Sequence, residues 1–200
     1  MIITAIEEYD KKRKKIYIDN MYAFCLYVSE IRKLHLEEND EIDETVYKEI
    51  NDIIYKRVMA RTLYILKAAP KTEKQLKDKL TDNGYTEEQV RIGIDYARKF
   101  GYVNDRKYAE AYIESMCQSR SRKDIEQRLF TRGISKKIID DVFREIGFDD
   151  TDAIMKALAK KSVTKEKFSA MDYSEKQRIY AYLFRKGFSF ESINATLNLH

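Results

Sequence analysis

Along this chain one arrangement of apolar and polar positions comes round three times. A helix-length stretch with aliphatic residues four apart is followed by a Gly, an apolar residue and a Ser or Thr. It reads Leu76, Leu80, Gly84, Tyr85, Thr86; then Ile125, Leu129, Gly133, Ile134, Ser135; then Ile179, Leu183, Gly187, Phe188, Ser189. Each copy continues in step, with Val90 and Ile94, Ile139 and Phe143, and Ile193 and Leu197 six and ten places after the Gly. One such supersecondary unit cannot close its own apolar face, so neighbours stack. The pattern predicts a mostly α protein of tandem three-helix repeats in an elongated curved array, a body suited to large partners rather than small substrates.

The unit can be read residue by residue. Thr72 and Ser121 stand twelve places before their glycines. A hydroxyl there accepts from the first free N–H groups of a helix, and Gln75 and Asp124, three places on, complete or approximate a capping box. The aliphatic pairs then share one helix face. Gly84, Gly133 and Gly187 are the structural repeat turns, supplying the left-handed backbone that ends a helix. Thr86 with Gln89, Ser135 and Ser189 start the next helix. A further helix precedes each pair: Arg57 to Ala69, stopped by Pro70, and Asp105 to Gln118, with Tyr108, Ala109, Tyr112 and Met116 on one side. In the third copy the stretch from Thr164 to Asp172 adds residues, and Asp172 or Ser174 replaces the Thr/Ser cap.

The amino-terminal part differs in kind. Ile2 to Glu8, Lys15 to Asp19 and Met21 to Val28 are rich in Ile and Tyr, and Asp19-Asn20 is a turn signal, which predicts a small antiparallel meander. The basic run Lys11 to Lys15 falls between two of these strands, as a solvated hairpin tip or a finger touching phosphate. From Asp43 the helical period takes over, and Val46, Ile50, Ile53 and Ile54 lead into the Arg57 helix as one long connector. The expected domains are a β-prone extension over 1–42, connector and first repeat over 43–103, a second repeat over 104–148 and a third over 149–200.

Charge sharpens this picture. Residues 1–56 hold nine Lys/Arg and thirteen Asp/Glu, a net of −4; residues 57–200 hold twenty-nine and twenty-one, a net of +8. The densest stretch is the second repeat, where Arg120, Arg122, Lys123, Arg128, Arg132, Lys136 and Lys137 are opposed locally by Asp124 and Glu126. Such a density attracts an anionic partner in a salt-sensitive way, whereas scattered lysines elsewhere read as solubilising. Fifteen tyrosines invite a base-stacking role, but most sit at helical core spacing. Tyr85, Tyr102 and Phe188, each just after a Gly, are expected to make the apolar contacts of helix C-caps.

Other classes fit less well. There is no phosphate loop, dinucleotide fingerprint, nucleophile elbow or metal-ligand cluster, so no catalytic, cofactor or metal residue is assigned and none is expected. His35 and His200 have no sequence-local acid or nucleophile, and the carboxylate pairs Asp140-Asp141 and Asp149-Asp150 read as solvated or capping groups. Cys25 and Cys117 are read as buried thiols in a reducing compartment. No apolar run reaches the roughly twenty residues of a membrane span, and a cytoplasmic, non-membrane protein is expected.

The segment Gly101-Tyr102-Val103-Asn104-Asp105-Arg106-Lys107-Tyr108-Ala109-Glu110-Ala111-Tyr112, flanked on both sides by Leu/Ile-x-x-x-Leu-x-x-x-Gly helices, closely resembles the bacterial RecX family of regulatory proteins. The resemblance covers about residues 57 to 200. It implies tandem three-helix repeats and a modulator of the RecA recombinase that binds within the groove of the RecA filament on single-stranded DNA. Such a protein depresses strand exchange, ATP hydrolysis and co-protease activity, in DNA repair and the SOS response. The expected partners are therefore the RecA filament and single-stranded DNA, with the protein a monomer. Contact residues are expected at Arg120, Arg122, Lys123, Arg128 and Arg132, with Arg185 and Lys186 next. Two readings from other classes stand beside it: a free-standing helical nucleic-acid-binding protein, since three-helix units with a tight turn resemble helix-turn-helix modules, and a helical protein-interaction scaffold. Salt dependence of binding separates them.

Overall fold

The computed structural model describes residues 1–197; His200 and the last residues of the third repeat expected over 149–200 lie outside the described residues. The chain forms two compact units, Met1–Asn104 and Asp105–His200.

The first unit opens with an antiparallel sheet of β1 (Ile3–Glu8), β2 (Arg13–Ile18) and β3 (Met21–Tyr27), in the order β1-β2-β3. Strand β2 starts two residues earlier than its Ile/Tyr content suggests, so only part of the Lys11–Lys15 run is a hairpin tip. Lys14 and Lys15 instead face Glu8 and Glu7 across the ladder, a charge pairing that suits opposed strand positions. Asp19 and Asn20 form the second turn with positive φ, as the Asp-Asn dipeptide predicts. A short helix α1 (Val28–Lys33) follows β3 directly, unsignalled by the sequence because six residues give no readable period. Helix α2 (Glu44–Ala68), capped by Asp43, is the long connector, and it runs without a break into the first repeat. Its first half packs Ile50, Ile54 and Val58 against Ile3, Ile16, Phe24 and Leu26 of the sheet. Its last turns carry Ile65 onto α3 (Glu73–Asp82) and α4 (Glu87–Lys99), where Leu76, Leu80, Val90 and Ala97 are buried. At Gly93 of α4 a Cβ would lie 2.8 Å from Thr62 Oγ1 and 2.9 Å from Val58, so this residue lets α2 and α4 approach.

The second unit contains α5 (Asp105–Met116), α6 (Arg122–Thr131) and α7 (Lys136–Ile146), whose buried residues Ala109, Ile113, Ile125, Leu129, Ile139 and Phe143 form one core. Tyr108 and Tyr112 pack at its edge with rings stacked 6.4 Å apart. Then come α8 (Thr151–Ala159), α9 (Lys165–Ala170), α10 (Tyr173–Arg185) and α11 (Phe190–Leu197), around Ile154, Leu158, Phe168, Leu183, Phe188 and Ile193. The inserted residues of the third copy form α9, capped by Thr164, and Asp172 with Glu175 makes the capping box of α10. The architecture is thus mostly helical, of tandem three-helix repeats, with a small amino-terminal sheet.

The three repeat turns share one hydrogen-bond pattern. The Gly N–H donates to the carbonyl three residues back and the following N–H to the conserved-in-position aliphatic five back: Gly84 to Thr81 and Tyr85 to Leu80, Gly133 to Phe130 and Ile134 to Leu129, Gly187 to Phe184 and Phe188 to Leu183. This is the Schellman closure, which requires the φ of +84°, +90° and +88° found at these glycines.

Tyr102 makes its helix-end contact: Gly101 N–H donates to the Arg98 carbonyl and Tyr102 N–H to that of Ala97, the same closure, and the half-exposed Tyr102 ring packs 6.3 Å from Tyr96 in the last turn of α4. Two expectations are corrected. Cys25 is buried, but Cys117 is only partly so, because α5 stops at Met116 and leaves its thiol donating to the Glu114 carbonyl in the last turn. Asp124 does not close a capping box: Ser121 Oγ accepts from the Asp124 N–H at 3.2 Å, while the Asp124 carboxylate points to two arginines.

Candidate functional site

Helix α6 has a basic face built by helical spacing. Asp124 and Arg128 lie four apart, hence one above the other, and so do Lys123 and Gln127, while Arg120, just before the Ser121 cap, reaches the same Asp124. Asp124 sits between its neighbours, with Arg120 Nη1 donating to Oδ2 at 2.7 Å and Arg128 Nε to Oδ1 at 3.0 Å. Partial burial pushes this carboxyl up, but the two arginine hydrogen bonds outweigh it and hold Asp124 below the ordinary carboxylate value. The same pairing raises Arg128. Such exposed pairs add little stability; their consequence is that two guanidinium groups are held at fixed places along the helix.

The start of α6 is anchored to the third repeat. Ser121 is almost wholly buried. Its Oγ accepts from Asp124 N–H and donates to the Lys186 carbonyl at 2.7 Å. A hydroxyl can do both. The carboxylate of Asp150, at the start of α8, accepts from the Arg122 N–H at 2.9 Å. Burial raises Asp150 above its ordinary value, and the hydrogen bonds from Arg122 and Ser192 do not fully reverse this. Because Lys186 immediately precedes Gly187, the Ser121 bond seats the third repeat's turn against the second repeat's cap. A Cβ on Gly187 would lie 2.7 Å from Ser121 Oγ.

This joint gathers cations that are some sixty residues apart in sequence. A concavity of about 490 Å³ is lined by Arg120, Lys123, Arg128, Arg185 and Lys186, with Asp124 as its one carboxylate, and by Ser119, Ser121, Gln127, Phe184, Gly187 and Phe188 among the rest. Five cations against one anion in a single hollow make a strong local positive potential. Arg122 lies on the adjoining surface with Glu126 and Asp150. Its guanidinium lies over the Phe143 ring at 4.7 Å, bonds Glu126 at 2.7 Å and approaches Asp140 at 3.8 Å, so acids from α7 and α8 oppose the cluster besides those close in sequence. Arg132 turns away onto the Tyr112 ring. Lys136 and Lys137, exposed in the first turn of α7, are also outside the hollow. Lys136 instead flanks the exposed Phe130 in a smaller one, of about 270 Å³.

Of the nine cations singled out by sequence, five therefore converge and four do not. Sequence reasoning missed Phe184, an exposed ring at the rim, although its place just before Arg185-Lys186 and one turn after Tyr180 was visible. Among the described residues no three His, Cys, Asp or Glu side chains group as metal ligands, and no helix is long and apolar enough to cross a membrane.

Models of the second and third three-helix domains of RecX match residues 104–142 and 149–197. The regulatory protein RecX of Caldanaerobacter subterraneus subsp. tengcongensis is 34% identical over 202 residues spanning the whole of both chains. The chain belongs to the RecX family of regulatory proteins. A RecX protein of Clostridium perfringens is 32% identical over 96% of this chain and 93% of its own. A crystal structure of regulatory protein RecX superposes with a TM-score of 0.64 over 98% of each chain at 24% identity, a likeness of fold. RecX from Lactobacillus salivarius superposes with 0.63 at 25% identity, over 74% of this chain and 96% of its own. The relatives thus span the amino-terminal sheet as well as the repeats, and the basic hollow lies within the two matched family domains.

Proposed function

We propose that this protein binds the RecA filament on single-stranded DNA and inhibits its recombinase, ATPase and co-protease activities, with the hollow between α6 and the Gly187 turn as the contact to phosphate or acidic filament surface. The observation that carries this is the Ser121–Lys186 bond, which brings Arg185 and Lys186 beside Arg120, Lys123 and Arg128. Membership of the family supports the choice of partner. Inhibition of this kind needs no catalysis: a ligand that prefers one filament geometry holds protomers there by its differential affinity. Several weak repeat contacts along a polymer add through effective concentration, so an assembled filament is favoured over a lone protomer.

The test is steady-state ATP hydrolysis by the cognate RecA on single-stranded DNA during titration with this protein. Inhibition at amounts well below one per RecA protomer is expected. Charge reversal of Arg120, Lys123 and Arg128 together should abolish it while circular dichroism stays unchanged; full inhibition by the folded triple variant removes the hollow from the mechanism. Salt-sensitive DNA binding with no effect on hydrolysis would favour the free-standing nucleic-acid-binding reading instead.

A further inference from the structure

The first unit holds a second basic hollow, of about 420 Å³, at the corresponding place beside a repeat turn. Asn83 and Tyr85, on either side of Gly84, line it, just as Lys186 and Phe188 line the hollow beside Gly187. In both units the carbonyl before the turn Gly takes a donor from another element: Ser121 Oγ to Lys186, and here Arg13 Nη1 to Asn83 at 2.7 Å. Lys12, Arg13, Arg57 and Arg61 supply the charge. Arg13 is paired with Asp10 at 2.7 Å and Arg57 with Glu30 at 2.7 Å, so these two are fixed and neutralised. Lys12 and Arg61 have no carboxylate within ion-pair distance among the described residues, which leaves about two positive charges uncompensated. Arg61 Nε is buried with no hydrogen-bond partner. A buried charged donor without an acceptor is costly, and Arg61, whose guanidinium otherwise lies over the Tyr64 ring at 5.1 Å, would offset that cost by turning to an anion held in the hollow it lines.

We infer that this hollow binds a phosphate of a polynucleotide strand, as a second contact site on the amino-terminal unit. Tyr27 and Tyr85 line the hollow along with the cations. Aromatic rings interleaved with cationic groups suit a nucleotide strand, whose sugars and bases follow its phosphates, better than an acidic peptide. The hollow is also positive within a unit, residues 1–104, that holds nineteen Lys/Arg and nineteen Asp/Glu and so carries no net charge, and bulk attraction of anions to that unit does not account for it. The inference deepens the nucleic-acid part of the proposed function and rests on it.

The experiment uses the full chain and fluorescein-labelled dT25, with anisotropy followed over a series of KCl concentrations. Lys12→Ala with Arg61→Met should lower the slope of log affinity against log salt by about 0.7, the contribution of one phosphate neutralised on a single strand. In parallel, the Arg61 Nε–H resonance should shift on adding dT25. An unchanged slope with no shift overturns the site. A shift with inorganic phosphate alone, the slope unchanged, makes it a free-anion pocket and likewise overturns the polynucleotide assignment. Displacement of dT25 from this site by poly-glutamate at equal charge concentration would overturn it in favour of an acidic protein. Should the double variant fold poorly, the exposed Lys12→Glu alone must still lower the slope. A normal slope here with loss of binding in the Arg120, Lys123 and Arg128 variant sinks this site alone; the reverse result sinks the α6 contact and spares this one.

Discussion

The first repeat and the pair formed by the second and third solve the same two local problems differently. At the start of α3, Thr72 and Gln75 close a reciprocal capping box, with Gln75 Oε1 accepting from the Thr72 N–H at 3.2 Å. At the start of α6, Asp124 is one methylene shorter than a Glu or Gln, and its carboxylate serves Arg120 and Arg128. The turn after α3 is sealed by the sheet, with Tyr9 Oη, Arg13 Nη1 and Tyr22 Oη donating to the carbonyls of Asp82, Asn83 and Gly84. The turn after α10 is seated on another repeat's cap through Ser121. One backbone motif has become an attachment point for the extension in one case and a joint between repeats in the other. The joint sets Arg120, Lys123 and Arg128 beside Arg185 and Lys186, whereas at the Gly84 turn the sheet brings Lys12 and Arg13 to Arg57 and Arg61, two of the four already paired with acids.

Substituting the turn glycines breaks that comparison most sharply. Ala at either position meets a left-handed backbone cost of about 1–2 kcal/mol. At Gly84 the added Cβ meets the Tyr9 ring edge at 3.0 Å, the outer end of a side chain that can swing. At Gly187 it meets Ser121 Oγ at 2.7 Å, on a short, buried and doubly hydrogen-bonded side chain. Gly187→Ala should therefore cost about 3 kcal/mol, and Gly84→Ala about half as much. Urea unfolding of the two variants, with hydrogen exchange at Leu183 and Leu80 to localise the loss, measures the difference. Equal losses would mean that the joint is soft and that the contrast between the turns has no energetic content.

What could be read from sequence follows the range of the interaction. The Schellman glycines and the boxes at Thr72–Gln75 and Thr86–Gln89 involve groups three to five residues apart, where spacing alone fixes the partner. The i, i+4 ladder of Arg120, Asp124 and Arg128 is legible for the same reason, although the competition it sets up with capping at Asp124 is decided by charge. The Ser121–Lys186 bond spans 65 residues and the Arg13–Asn83 bond 70, and no local rule selects either. No local rule singles out Arg57 and Arg61 on α2, yet the packing of the sheet against that helix makes them a pocket wall. Tyr102 follows the rule that seals a helix end with the residue after Gly, packing on Tyr96 of the helix it closes, but the rule says nothing of whether a further surface covers it, and its ring is half exposed.

A milder change tests the joint without adding an atom. Ser121→Ala removes the cap of α6 and leaves the Lys186 carbonyl without its donor, a combined cost of about 2 kcal/mol. By comparison Tyr22→Phe, which deletes one exposed donor to the Gly84 carbonyl, should cost about 1 kcal/mol or less. Ser121→Ala removes no charge, yet it frees the turn that carries Arg185 and Lys186. Inhibition of RecA hydrolysis by the folded variant should therefore weaken several-fold. Inhibition at full strength would show that the five cations act without being held together.

The smallest effect separates the two caps by pH. Gln75 carries no charge, so the box at Thr72 is indifferent to acid, whereas Asp124 holds Arg120 and Arg128 only while ionised. Its folded-state pKa lies below the ordinary value of 3.8, so the carboxylate stabilises the fold at neutral pH, and that contribution fades as the pH falls below about 3.8 through the folded value. Asp124→Asn should thus be slightly less stable than the parent from neutral pH down to about pH 5, by well under 1 kcal/mol for so exposed a pair, with the gap closing in acid. At neutral pH the same variant raises the net charge of the hollow by one and should bind dT25 more tightly, with a steeper salt dependence. A stability gap that persists below pH 3 would assign the role of Asp124 to shape and hydrogen bonding. Weaker DNA binding at neutral pH would mean that holding the arginines in place matters more to the partner than the charge they carry.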